Sequence, residues 1–142
     1  MLYYRGTKSN NPMSDWGHAM FVDDYENSYS GLGHEWAFDG SLATPITSLK
    51  DKIIAAWGKT LENGYYYGFS SDDNDYFMTL SAEEVFDSFN PDDIVDSADG
   101  FDSALVSWLS EMVLMPNEIY AVTTQDGAVV FDASLITELG ND

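Results

Sequence analysis

The chain has 142 residues, of which 44% are hydrophobic and 15% aromatic. That is enough for one packed domain spanning 1–142 and too apolar for a disordered chain. Five Lys+Arg stand against 25 Asp+Glu, a net charge of −20. A field of that sign repels nucleic acid and anionic membrane and attracts basic protein surfaces. With no cysteine there is no disulfide framework and no thiolate zinc site. The start carries no basic-then-apolar signal pattern, and no apolar run reaches bilayer length, so a soluble, cytoplasmic protein is expected.

In chain order, Leu2–Arg5 reads as an aromatic first strand, followed by Gly6 and a polar loop from Lys8 to Asp15. Arg5 is the only arginine of the chain. Gly17–Val22 reads as a second strand, mostly buried and stopped by Asp23-Asp24. Tyr25–Tyr29 suggests a short helix, and His34–Phe38 a third strand before the Asp39-Gly40 turn. Ser48 with Asp51 has capping-box spacing. Leu49, Ile53, Ile54, Trp57 and Leu61 then recur at helical spacing up to Asn63-Gly64.

Tyr65–Phe69 and Tyr76–Leu80 read as strands on either side of a turn at Asp72–Asp75. Ser81 with Glu84 is a cleaner capping box for a short helix ending near Asn90-Pro91. Asp92–Asp102 is a very acidic loop without the Asp-x-Asp-x-Asp-Gly spacing of a calcium site. Ala104, Leu105, Trp108, Leu109, Met112 and Val113 define a second amphipathic helix that stops before Pro116. Glu118–Thr124 and Ala128–Phe131 form a hairpin around Gln125-Asp126-Gly127. The class is α+β, with strands outnumbering helices.

The acids are unevenly placed. Residues 1–60 hold all five basic residues and seven acids, while residues 61–142 hold the other 18 acids and no basic residue. A partner for that half must offer a positive surface.

Three stretches in this order resemble the ADP-ribosyltransferase fold, in particular its diphtheria-toxin and poly-ADP-ribose-polymerase branch. Tyr4-Arg5-Gly6-Thr7 stands where that branch ends a strand in His-Gly-Ser/Thr, with arginine as in the cholera-toxin relatives. Gly17-His18-Ala19-Met20-Phe21, followed by Tyr25 and Tyr29, is similar to its glycine, aromatic strand and tyrosine-bearing helix. Asp126-Gly127-Ala128-Val129-Val130-Phe131-Asp132 is similar to the strand that carries the catalytic glutamate; here Gly127 holds that position, with Asp126 beside it. Small phage anti-CRISPR ADP-ribosyltransferases have a similar layout.

The resemblance implies one domain of two small packed antiparallel sheets flanked by short helices. It implies NAD as substrate and transfer of ADP-ribose to a host protein with a basic surface, such as a CRISPR effector subunit, in the host cytoplasm. Arg5 and Asp126 take the catalytic roles, and Arg5, Gly6, Thr7, Phe21 and Tyr29 contact NAD. A carboxylate suits this chemistry, because nicotinamide leaves through an oxocarbenium-like transition state. Glu111 is the rival carboxylate, through a faint similarity of Ser70-Ser71 and Glu111–Pro116 to cholera-toxin segments. The second reading is a non-catalytic acidic inhibitor that occupies a basic nucleic-acid-binding surface. His18 and His34, the only histidines, read as half-buried strand residues, with no nucleophile-elbow glycines to support a hydrolase triad.

Overall fold

A computed structural model describes residues 1–23, 33–90 and 102–141. The strands β1 (Leu2–Thr7), β2 (Ala19–Val22), β3 (His34–Asp39), β4 (Thr44–Pro45), β5 (Ala121–Thr123), β6 (Gly127–Val130) and β7 (Ile136–Asn141) lie in the order β4-β5-β6-β2-β1-β3-β7. The helices are α1 (Lys50–Asn63), α2 (Ser71–Phe77), α3 (Ala82–Ser88) and α4 (Ser103–Leu109). The α+β class read from the sequence is the class observed. No helix among the described residues is long and apolar enough to cross a membrane.

The two expected sheets are here two halves of one. β1 pairs with β3 along its full length, from Leu2↔Asp39 to Thr7↔His34. With β2 it shares the single register pair Tyr4↔Val22. The halves β4-β5-β6-β2 and β1-β3-β7 are therefore joined where Tyr4 meets Val22, the last residue of β2, and share no further ladder pair. They still pack: Phe21 of β2 and Phe38 of β3 bring their rings to 6.0 Å, in a small core with Ala19, Trp36, Ala121, Ala128 and Val130. The sheet is also mixed, because the two-residue β4 runs parallel to β5.

The larger core lies on the other face, where the helices cover Val22, Val122 and Val129. Trp57 and Trp108 meet edge to face at 5.0 Å, and Phe89 stacks on Trp108 at 6.4 Å. Both indole N–H groups are satisfied, Trp57 donating to the Leu80 carbonyl and Trp108 to the Thr60 hydroxyl, each at 3.0 Å. Buried rings of this size supply most of the stabilisation of the helical layer, since each removes a large apolar area from water.

The helix ends show what local chemistry decided. α1 closes on Gly64 in the left-handed conformation (φ 78°), as Asn63-Gly64 predicts. Its start differs, because Ser48 donates to the Pro45 carbonyl (2.7 Å) and a 3-10 turn at Ile46–Leu49 leads into the helix. Ser81 and Glu84 do form the reciprocal capping box that opens α3.

The strands expected at 65–69 and 76–80 do not form, and the expected turn at Asp72–Asp75 is helix α2. Ser70 caps that helix through the Asp73 N–H (3.1 Å), and Asp72 and Asp73 sit favourably in its first turn. The aromatic residues bury here as a cluster instead of pleating: Phe69 lies 4.8 Å from Tyr66 and 4.9 Å from Phe77. Asn74 holds the loop to them, accepting from the Tyr66 N–H (2.7 Å) and donating to the Tyr66 carbonyl (3.1 Å).

The hairpin β5–β6 has Val122 opposite Val129, and the Thr124 N–H donates to the Gly127 carbonyl at 2.8 Å. After α4 the helix runs on as a π turn at Ser110–Leu114 and a 3-10 turn at Met115–Asn117, so it includes Pro116 instead of stopping before it. β7 has no counterpart among the expected elements. The helix expected at Tyr25–Tyr29 and the acidic loop up to residue 101 lie outside the described residues. Asp102 caps α4 through the Ala104 N–H (2.9 Å).

Candidate functional site

Arg5 sits where β1 and β2 part. The residue opposite it on β3 is Trp36, so its side chain leaves the sheet on the face of the small core. There Nε donates to the Pro12 carbonyl (2.7 Å) and an Nη to the Met20 carbonyl (3.3 Å). The guanidinium thus ties the 8–18 loop and β2 to β1, and no carboxylate among the described residues forms an ion pair with it. Burial lowers its pKa from the ordinary value, yet an arginine stays charged at neutral pH. Five N–H donors serve a guanidinium, so these two carbonyls use part of its capacity.

Beyond Tyr4, the edge of β1 that faces β2 has no ladder with it. Gly6 and Thr7 lie on this stretch, paired on the other side with Glu35 and His34. The Thr7 hydroxyl accepts from the Trp36 indole (2.9 Å) and donates to the Ser9 carbonyl (2.8 Å). Phe21 is fully buried against Phe38, which makes it a wall of the core and leaves it no surface for stacking on a ligand. Asp126 is in the β5–β6 turn, at the joined end of the two halves, where the next residue Gly127 pairs with Val22. Tyr25 and Tyr29 lie outside the described residues.

At the opposite end of β2 and β6 there is a cleft of about 480 Å³ between the sheet and the α4 segment. Trp16, His18 and Phe131 line it from the strand side, and Ser107, Ser110 and Glu111 from the helix side. His18 is 2% exposed, and its Nδ1 has no hydrogen-bond partner. Burial first, and then the positive charge of Arg5, hold its pKa down to about 4. The imidazole is therefore neutral at pH 7 and resists taking up a proton.

Glu111 reaches the cleft from the π turn, a local widening of the helix that recurs at functional sites. The Tyr66 hydroxyl donates to its carboxylate. Burial first, then the bond to Glu111 and its charge, push the Tyr66 hydroxyl well above the usual phenol range. Tyr66 therefore stays protonated and remains a donor to Glu111.

The predicted residues thus fall in two places. Arg5, Gly6 and Thr7 lie together on one strand at the parting of the sheet, with Asp126 two strands away. Glu111, the rival carboxylate, stands in the cleft with His18. Sequence reading missed this grouping of Trp16, His18, Tyr66 and Glu111. The available signal was a histidine directly after Gly17 at the head of a buried strand; nothing in the sequence announces the π turn. His34 lies within β3 with its Nδ1 3.6 Å from the Glu138 carboxylate, in a structural setting. Compared with known proteins, the chain matches no family model, no curated sequence and no solved structure.

Proposed function

We propose that the protein is an NAD-dependent mono-ADP-ribosyltransferase that modifies a host nucleic-acid-binding protein in the host cytoplasm, a CRISPR effector subunit being the favoured target class. One observation supports this reading above the others. The three stretches that carry the resemblance, distant in sequence, are three consecutive strands, β1, β2 and β6. The ladder between the first two is a single pair, beside the only arginine, whose side chain reaches from β1 to the Met20 carbonyl.

In this reading NAD is the substrate. The guanidinium of Arg5 takes the diphosphate, for which its planar fork of donors is suited. The unladdered backbone at Gly6 and Thr7 receives the carboxamide. The Asp126 carboxylate bonds a ribose hydroxyl and stabilises the positive charge that develops as nicotinamide departs. Two strand spacings of ~4.8 Å and two residue rises of ~3.3 Å put the Asp126 and Arg5 backbones about 12 Å apart. A dinucleotide spans that distance and a single ring does not. Phe21 supports this wall from within the core.

The test is incubation with NAD and host nucleic-acid-binding proteins, with nicotinamide release and the mass of ADP-ribose on a target as readouts. Asp126→Ala and Arg5→Ala should lose both, while Glu111→Ala should keep nicotinamide release. Because Arg5→Ala also strands two carbonyls, its melting curve must be shown to be cooperative before loss of activity counts. If wild-type protein releases no nicotinamide and no target gains mass, the transferase reading is wrong.

The acidic-inhibitor reading has its own supporting observation. Asp72, Asp75, Glu83, Glu84 and Asp87 are all exposed on α2 and α3. Of the lysines, Lys50 lies across from them, 3.3 Å from Glu83. Melting with and without NAD separates the two readings. Binding to the folded state alone adds about 2.7 kcal/mol at a hundred times the dissociation constant. No shift at millimolar NAD favours the inhibitor.

A further inference from the structure

We infer that the cleft between β2 and the π turn binds a guanidinium cation, on its own or as an arginine side chain of a partner. This rests on the cleft and not on the transferase reading. The walls decide the sign of the ligand. They include the carboxylate of Glu111 and no lysine or arginine. Arg5 acts on His18 but is not among the walls, and its guanidinium is engaged by the Pro12 and Met20 carbonyls. An anion entering here would meet the Glu111 carboxylate directly, whereas a cation gains a charge-assisted hydrogen bond with it.

The other polar groups agree. His18 is buried and neutral with an unpartnered Nδ1, and Ser107 and Ser110 supply hydroxyls. The two hydroxyls can accept from a ligand that has donors and no acceptor, which describes a guanidinium, and the neutral His18 adds no positive charge to the wall.

The rim selects among cations. Trp16 is 56% exposed and Tyr120 49% exposed, two aromatic rings that line the cleft and remain open to solvent. Planar guanidinium stacks on such rings and forks onto a carboxylate, which a compact ammonium does not do as well. The carboxylate is also held in place. Tyr66, anchored against Phe69 in the large core, donates to one oxygen of the Glu111 carboxylate, and a carboxylate has further lone pairs to offer a ligand. A positioned acceptor loses less freedom on binding than a mobile one. About 480 Å³ is ample for a side chain of this size and lies within the range of ordinary ligand sites.

The experiment follows the indole N–H signal of Trp16 by NMR at 0.15 M salt, which screens the diffuse −20 field. Of the four tryptophans, Trp36, Trp57 and Trp108 are buried and act as internal controls. Capped arginine amide should shift the Trp16 signal saturably and leave the other three in place. Capped citrulline amide, neutral and of the same shape, should bind at least tenfold more weakly. Glu111→Gln should lose at least tenfold in affinity while keeping its Tyr66 bond and its melting temperature. Free arginine against capped arginine separates the two sources: tighter binding of the capped form indicates a protein side chain, tighter binding of the free form a small molecule. Equal binding of citrulline, equal binding of capped lysine amide, an unaffected Glu111→Gln variant or no saturable shift would each overturn the assignment.

Discussion

Acidification should destabilise this protein in part through one side chain, and the amount follows from where His18 sits. In the folded chain the imidazole is buried beside Phe131 (ring centroids 6.1 Å apart) and feels the charge of Arg5. Its proton affinity drops from the usual 6.5 to about 4. The unfolded chain holds the proton below pH 6.5 and the folded chain does not, so the stability tied to neutral His18 is present above 6.5. It declines as pH falls and is exhausted near pH 4. At 1.36 kcal/mol per pH unit the whole interval is worth about 3 kcal/mol, and linkage gives about 2 kcal/mol of that loss by pH 5.

Carboxylates titrate in the same window, so the quantity to measure is a difference. Urea unfolding of wild type and His18→Leu at pH 7, 6 and 5 shares every carboxylate. Relative to the variant, wild type should lose about 2 kcal/mol between pH 7 and 5. A stability gap that stays constant over that range would show that His18 is not held neutral by burial, and the account of the cleft wall would fail.

Two further outcomes test the packing on which the site stands. Ser81→Ala removes one half of the reciprocal cap of α3 and should cost about 1 kcal/mol in urea unfolding; no change would mean that water satisfies the first turn equally well. Thr60→Val keeps the shape but leaves the buried Trp108 indole N–H without its acceptor, a loss of about 1–3 kcal/mol that Thr60→Ser should largely avoid.

What the sequence determined by itself is local or periodic. The Ser81–Glu84 box, the Gly64 stop, the 3.6-residue spacing of α1 and α4 and the Asp-Gly hairpin all encode their geometry within a few residues. The aromatic run up to Arg5 and the alternation from His34 to Phe38 likewise marked β1 and β3. The tertiary structure decided everything that depends on residues far apart. Tyr65–Phe69 and Tyr76–Leu80 have strand composition, yet Asn74 and the ring cluster around Phe69 hold them as loop and helix, because burying aromatic area outweighs a weak strand propensity. The one-pair contact between β1 and β2 leaves Arg5 to bridge the two strands through its side chain, which no pattern along either strand reveals. Glu111 has an unremarkable place in a helical stripe. Only the fold of the π turn and the Tyr66 hydroxyl, 45 residues away, set it in the cleft that His18 also lines. Sites of this kind escape sequence reading because their chemistry lies in convergence across the fold, while propensity and periodicity report on neighbours along the chain.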